Sequence, residues 1–302
     1  MNGEAQENTS GISCRTGGQD INNYGRGIIV RSCNVHHIRD EGSWAGHSKC
    51  ICMYGTLYSV IESCYTDGSG YGILYKGQYF NGTDMLGNVI RFNECVNGGL
   101  GFTSFCLVDS AYGNIVRNYT DPDTWGLNLE GAGLDSSCRI MNNTVYNKTQ
   151  PLMLAGMDCD GLEGDPSAYC SIKDHWFKYN IISYSGSEDA VIWGNLDATD
   201  TNAICFDSNY YYRGGGDITI RNLGAFTNWQ AAGFDVHSVV TDPGLNENFE
   251  PTNLSAWATP ITYGGRTWYG PGAVQTLWET PVIDTSGVEL KNMKINGGII
   301  IK

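Results

Sequence analysis

The chain has no long apolar run, no block of Lys and Arg, and few charges of either sign. No stretch of its 302 residues approaches the length of a membrane span, so the sequence offers no helical anchor. Residues 1–14 do not pair a basic region with an apolar one, and no secretory signal is visible. Charged residues make up only 17%, and 18 cations stand against 32 acidic groups. A formal charge of −14 repels phosphate backbones and anionic lipid alike. Nucleic acid and membrane are thereby excluded as partners, leaving uncharged glycans, cations and other proteins. Helical periodicity is nearly absent, since no 12-residue stretch carries a 3.6-residue apolar stripe. Paired CxxC knuckles are also missing, which removes the zinc ribbon.

What is present is an apolar share of 41%, enough for a core, and a polarity drawn from Gly, Asn, Ser and Thr. Forty glycines without a three-residue period exclude collagen. Eleven cysteines, most of them inside short apolar strands, read as small buried hydrophobes made in a reducing compartment. The number is odd, so at least one is unpaired in a monomer.

One short phrase recurs: an apolar strand closed by a small polar residue. Aligned on that residue, the copies give Cys33, Cys64, Asn93, Asn143, Asn180 and Asn209, with Asn118 or Tyr119 filling the gap between Asn93 and Asn143. A second series interleaves with it: CICMYG (50–55), GILYKG (72–77), GFTSFC (101–106), GLNLEG (126–131), PLMLAG (151–156) and AVIWG (190–194). Strands this short cannot each carry a core. Stacked circuit on circuit at about 4.8 Å they can, with equivalent side chains in files and a polar ladder at each bend.

These bend files and Gly-flanked strands resemble the right-handed parallel β-helix superfamily of polysaccharide lyases, pectin-type hydrolases and phage tailspikes. The resemblance covers residues 20–212, and the stretches at 226–245 and 269–274 resemble the closing region of such proteins. It implies an all-β, single-stranded right-handed parallel β-helix. On this reading residues 1–20 form an N-terminal cap, 21–213 the coils, and 214–302 an irregular C-terminal capping and assembly region. The apolar strand-like end at 288–302 suggests a subunit contact, and with it a homotrimer or larger assembly.

Alternation in the second series turns Ile73, Tyr75, Leu127, Leu129, Leu152 and Leu154 inward. The outward file then reads Tyr54, Lys76, Phe105, Glu130, Ala155 and Trp193. Aromatic faces stack on sugar rings, so Tyr54, Phe105, Asn128 and Trp193 are expected to bind substrate. Cleavage is assigned to Glu130 as acid or base, Asp109 as its partner, and Lys76 on the substrate, since a hydrolase needs carboxylates about 5–10 Å apart. The alternative is a row of solvated charges beside a protein contact. The loop 157–170 brings Asp158, Asp160, Glu163 and Asp165 within eight residues, a set suited to calcium. His36, His37, Asp40, Glu41 and His47 form a further polar cluster that reads as a cap, a metal site or an acid–base pair. The expected function is binding of an extracellular polysaccharide, with lyase or glycosidase cleavage. The alternative is a non-catalytic virion-surface protein, and the expected location is outside the cell or on a virion.

Overall fold

A computed structural model describes residues 10–15, 24–38, 48–68, 70–76, 87–103, 110–117, 126–130, 139–148, 151–155, 175–186, 189–194, 204–221 and 223–275. The described chain is all-β but for one short helix, Phe226–Ala231, and most of its strands lie in three long parallel sheets. Each circuit adds one strand to each sheet. A nine-stranded sheet begins Ser10–Arg15, Lys49–Tyr54, Tyr71–Lys76, Gly99–Thr103, Leu127–Glu130. A seven-stranded sheet runs from Ile29–Arg31 through Val60–Glu62, Val89–Arg91, Ser110–Tyr112, Arg139–Met141 and His175–Lys178 to Ile204–Asp207. An eight-stranded sheet runs from Asn34–Ile38 to Val239–Val240. The two sequence series are the nine- and seven-stranded sheets. The eight-stranded sheet is a third strand per circuit, which follows the polar bend directly.

Register stacks like on like. Val30, Ile61, Ile90, Ala111, Ile140, Phe177 and Phe206 form one inward column. Ile51, Ile73, Leu100 and Leu127 form another, each fully buried. Each such side chain contributes roughly 1.5–3 kcal/mol by leaving water. The interior is one continuous cluster from Cys14 to Phe234, plugged at its far end by Trp229 stacked on Phe234.

The bend between the seven- and eight-stranded sheets carries the polar ladder. Asn93, Asn114, Asn143, Asn180 and Asn209 are all buried there. The backbone N–H of Asn93 donates to Asn114 Oδ1 at 3.1 Å, and that of Asn114 to Asn143 Oδ1 at 3.1 Å. The N–H of Asn143 reaches Asn180 Oδ1 at 2.9 Å, and that of Asn180 reaches Asn209 Oδ1 at 2.9 Å. Each Nδ2 donates back to a strand carbonyl of the preceding circuit, as Asn143 does to Ala111 O at 3.0 Å. The rung between Asn93 and Asn143 is therefore Asn114. Residues 118 and 119, the sequence choice, lie outside the described residues. The displaced assignment followed the run "NIVRN", whereas the rung is the Asn that opens it, one residue after Gly113.

Before each rung the backbone turns left-handed: Ser32, Ser63, Phe92, Gly113, Asn142, Tyr179 and Ser208 have φ between 51° and 67°. For the non-glycine members this costs about 1 kcal/mol each, offset by the rung's buried hydrogen bonds. These residues project outward, and the segment after 240 is laid over several of them. Tyr263 OH donates to Asn142 Oδ1 at 2.5 Å, and Asn142 Nδ2 to Gly270 O at 2.7 Å. Trp268, fully buried, stacks on Tyr263 and meets Tyr112 edge-on. A Cβ at Gly113 would come within 2.5 Å of Phe92 and 3.4 Å of Trp268, so glycine there leaves room for both rings.

The sequence boundaries at 21 and 213 fall inside this architecture. Ser10–Arg15 pairs with Lys49–Tyr54, and Val239–Val240 pairs with Tyr210–Arg213. Among the described residues no helix is long and apolar enough to cross a membrane.

Asn143→Ala strands the N–H of Asn114 and the carbonyl of Ala111, two buried groups at about 1–3 kcal/mol each. The expected loss is about 3 kcal/mol, read as a lower urea midpoint. A midpoint unchanged from wild type would refute the ladder as a stabilising element.

Candidate functional site

Two surfaces can be built from the described residues. The first is the outer face of the nine-stranded sheet, where the sequence placed the groove. Tyr54 pairs with Arg15 on one side and Lys76 on the other. Thr103 follows Lys76 in that column, where Phe105 was expected; Phe105 itself lies outside the described residues. Glu130 pairs with Ala155, and Ala155 with Gly194 rather than Trp193. Trp193 pairs with Leu154, in the column that runs through Leu129 and Phe102 to the buried Tyr75 and Met53. Alternation counted from the closing Gly puts Trp193 one residue out of phase with Tyr54. Backbone register does carry Lys76 and Glu130 into one column two circuits apart; for both, only the backbone is described.

Asn128 is fully buried, and its Nδ2 donates to Tyr71 OH at 2.7 Å. It is unavailable to substrate. The cause is a register shift at Gly99/Leu100, with the Tyr71 ring laid across Gly101, where a Cβ would stand 2.4 Å from it. Cys52, Tyr71 and Leu74 are buried together on this face with Tyr54 against them. Arg15 lies 5.0 Å from the Tyr54 ring centre. Where described, the face is a covered apolar patch. Asp109, Asp158, Asp160, Glu163 and Asp165 lie outside the described residues, as do Asp40, Glu41 and His47. His36 and His37 meet edge to face at 4.5 Å. Among the described residues no three His, Cys, Asp or Glu stand together as a metal site.

The second surface is a crevice of about 290 Å³ at the far end of the ladder, lined by Tyr179, Ser208, Tyr210, His237, Trp257, Thr259 and Ile261. The ladder builds it. Tyr179 and Ser208 are left-handed bend residues and so point out of the stack. Past Asn209 the last rung is the turn 235–238: the N–H of Asn209 donates to Ser238 Oγ at 2.7 Å and its Nδ2 to Asp235 Oδ1 at 2.8 Å. Asp235 is buried and also accepts from Tyr211 OH at 2.9 Å and Trp229 Nε1 at 2.7 Å. Burial pushes its carboxyl pKa up, against the pull of those donors. This anchored turn holds His237 at the surface. Trp257 closes the other wall, 4.7 Å from the Tyr179 ring.

His237 Nδ1 lies 3.0 Å from Asp207 Oδ2, and the His237 backbone N–H donates to Asp207 Oδ1 at 3.0 Å. The His237 side chain is 76% exposed and that of Asp207 22%. Partial burial pushes the Asp207 carboxyl up, but the two bonds from His237, its charge and that of Lys178 outweigh it and hold the group below its ordinary value. A hydrogen bond from neutral His237 to this carboxylate requires the proton on Nδ1, which leaves Nε2 without one. Sequence reading missed this pair. The signal was in the spacing: Ser238 stands 29 residues after Asn209, as Asn209 does after Asn180, so His237 is the residue just before the next rung, although here the left-handed residue of the turn is Asp235.

No family model, no curated protein and no solved structure matches the chain.

An acid with a lowered folded pKa adds stability above its unfolded pKa and loses it as pH falls through the folded value. The melting-temperature gap between wild type and Asp207→Asn is therefore expected to be constant near neutrality. It should close below about pH 4. A gap independent of pH would mean that the pair contributes no charge-dependent stability.

Proposed function

We propose that the chain is a right-handed parallel β-helix of the polysaccharide-lyase, pectinase and tailspike kind, and that it binds a polysaccharide outside the cell or on a virion surface. The observation that carries this is the crevice that Tyr179, Tyr210 and Trp257 line together with His237, whose ring Asp207 holds. Aromatic rings offer apolar faces to sugar C–H groups, and Ser208 and Thr259 offer hydroxyls to sugar hydroxyls. Nε2 of His237 is the group able to take a proton from a sugar carbon, a hydroxyl or water, with Asp207 stabilising the imidazolium that forms. Glu130 with Asp109, and Lys76 on the substrate, are the competing assignment for cleavage on the nine-stranded face. Calcium held by Asp158, Asp160, Glu163 and Asp165 belongs to the same reading.

A second reading, a non-catalytic virion component in a homotrimer or larger assembly, is favoured by one observation. Val239 and Val240 are 41% and 48% exposed in the strand that ends the eight-stranded sheet among the described residues, and Val236, in the turn before it, is 55% exposed. An unpaired apolar edge is a ready surface for another chain.

Trp257→Ala is expected to weaken retention on the best of a panel of neutral and uronate-containing polysaccharides about tenfold, or about 1.4 kcal/mol. His237→Ala should leave retention within twofold and remove any release of reducing ends or unsaturated uronate. Cleavage that survives His237→Ala and is lost in Glu130→Gln moves the chemistry to the other face. Retention of no polysaccharide, with a trimeric mass in solution, overturns the binding reading in favour of the second.

A further inference from the structure

The carboxamide ladder stops at Asn93. Its first two rungs are thiols: Cys64 is buried, and Cys33, the outermost, is half-buried. Cys64 occupies the place of an Asn, its backbone N–H donating to Asn93 Oδ1 at 2.9 Å. Its Sγ reaches back to Val30 O at 3.7 Å, the carbonyl equivalent to the one that Asn93 Nδ2 takes on Ile61 at 3.0 Å. Cys33 sits directly above it: Arg31 pairs with Glu62, Asn34 with Tyr65, and the N–H of Tyr65 donates to Cys33 O at 2.9 Å. Cys33 Sγ donates to Arg31 O at 3.4 Å, on the same side of the bend as the Cys64 thiol. Adjacent circuits lie about 4.8 Å apart, inside the Cα separation of about 4.4–6.8 Å that a disulfide spans.

We infer that Cys33 and Cys64 are a thiol–disulfide modification site, a reversible clip across the first two circuits that small-molecule disulfides such as oxidised glutathione close and small thiols open. The neighbouring Cys64 thiol lowers the Cys33 pKa to about 7, against the effect of burial. The same contact pushes Cys64 upward, and burial adds to it. Cys33 is thus the attacking sulfur and Cys64 the resolving one. The Cys33 thiolate attacks one sulfur of the small disulfide, whose S–S bond breaks and releases one thiolate. Cys64 gives its proton to water, and its sulfur attacks Cys33, displacing the second thiolate. Two protein thiols are oxidised to one disulfide, and one small disulfide is reduced to two thiols.

The geometry explains why this site differs from the others. Carboxamides interlock through paired donors and acceptors, so an Asn rung is complete without covalent chemistry. Thiols make only weak hydrogen bonds, and a pair of stacked thiols is fully joined only by oxidation. Cys205, exposed at the far end of the seven-stranded sheet, provides the internal control. The inference is independent of the glycan reading.

The test is non-reducing peptide mapping of the full chain after incubation with oxidised glutathione. The expected result is a peptide pair joined through Cys33 and Cys64, lighter by two hydrogens, with Cys205 held as a glutathione mixed disulfide. Dithiothreitol should return both thiols. Oxidised wild type should melt several degrees above its reduced form, and Cys33→Ser should show neither the linked pair nor the shift. Recovery of Cys64 as a free thiol, with Cys33 unmodified or stopped at the mixed disulfide, overturns the inference. The wild-type map decides the matter even if a variant fails to fold.

Discussion

The structure depends on a buried side chain that is polar and yet leaves nothing unpaired. A carboxamide has two acceptor sites on oxygen and two donor hydrogens on nitrogen. In the ladder all four are used. Asn143 Oδ1 accepts from the backbone N–H of Asn114 at 3.1 Å and from Asn114 Nδ2 at 2.9 Å. Asn143 Nδ2 donates to Ala111 O at 3.0 Å and Asn180 Oδ1 at 3.0 Å. No other side chain of that size closes this account. Aspartate lacks the donors, serine has one, and an apolar residue would leave the bend's backbone unpaired inside the core. At the far end of the described residues the set changes: Asp235 and Ser238 accept what the next Asn would have accepted.

From that constraint the surface follows. To put the carboxamide inside and resume a strand at once, the chain passes through one left-handed residue, and that residue's side chain has to face out. The bend therefore has a private outward file, distinct from the faces of the sheets. The segment after 240 covers part of this file: Arg266 lies 4.0 Å from the Phe92 ring centre, Tyr263 and Gly270 bond Asn142, and Trp257 meets Tyr179 at 4.7 Å. The tip of its hairpin sits against Tyr112, close enough that a Cβ at Gly264 would meet the phenol at 2.5 Å. Beside the Trp257–Tyr179 contact, at Ser208, Tyr210 and His237, the crevice remains. The candidate site is thus a consequence of the ladder's geometry and not an addition to a sheet face.

Much of this was legible in the sequence, and the limits have physical causes. The column Cys33, Cys64, Asn93, Asn143, Asn180 and Asn209 was readable because one chemistry is demanded at one position of each circuit. The third strand was not separated from the bend, because a strand joined to the previous one by only two residues leaves little turn signal between them. Parity on the nine-stranded sheet was readable for Ile73, Tyr75 and Leu127, which are buried. It failed for Trp193, since period-two counting needs a phase and a closing glycine supplies the wrong one. Asn128 looked free because alternation alone cannot register a ring arriving from Tyr71, two strands away in the same sheet. His237 was invisible for a further reason: its partner Asp207 stands a full circuit earlier, and only the stacking of rungs brings the two together.

The use of cations narrows what such a surface can hold. The described cations on the outer faces are mostly engaged. Arg31 and Arg91 share Glu62, and Arg117 bonds Glu94 at 2.6 Å. Arg139 and Lys178 lie 5.2 and 4.9 Å from the Trp176 ring centre, and Arg213 donates to the carbonyls of Gly186 and Asp217. Capturing a polyanion would mean breaking these contacts while the acidic excess of the whole chain opposed its approach. Rings and hydroxyls around a single His–Asp pair face no such conflict with an uncharged sugar. The same logic separates the two proposed regions. On the proposed reading the crevice would recognise shape and C–H surface, which a change of redox state leaves alone, whereas the Cys33–Cys64 end would respond to electrons and offers a sugar nothing to stack upon.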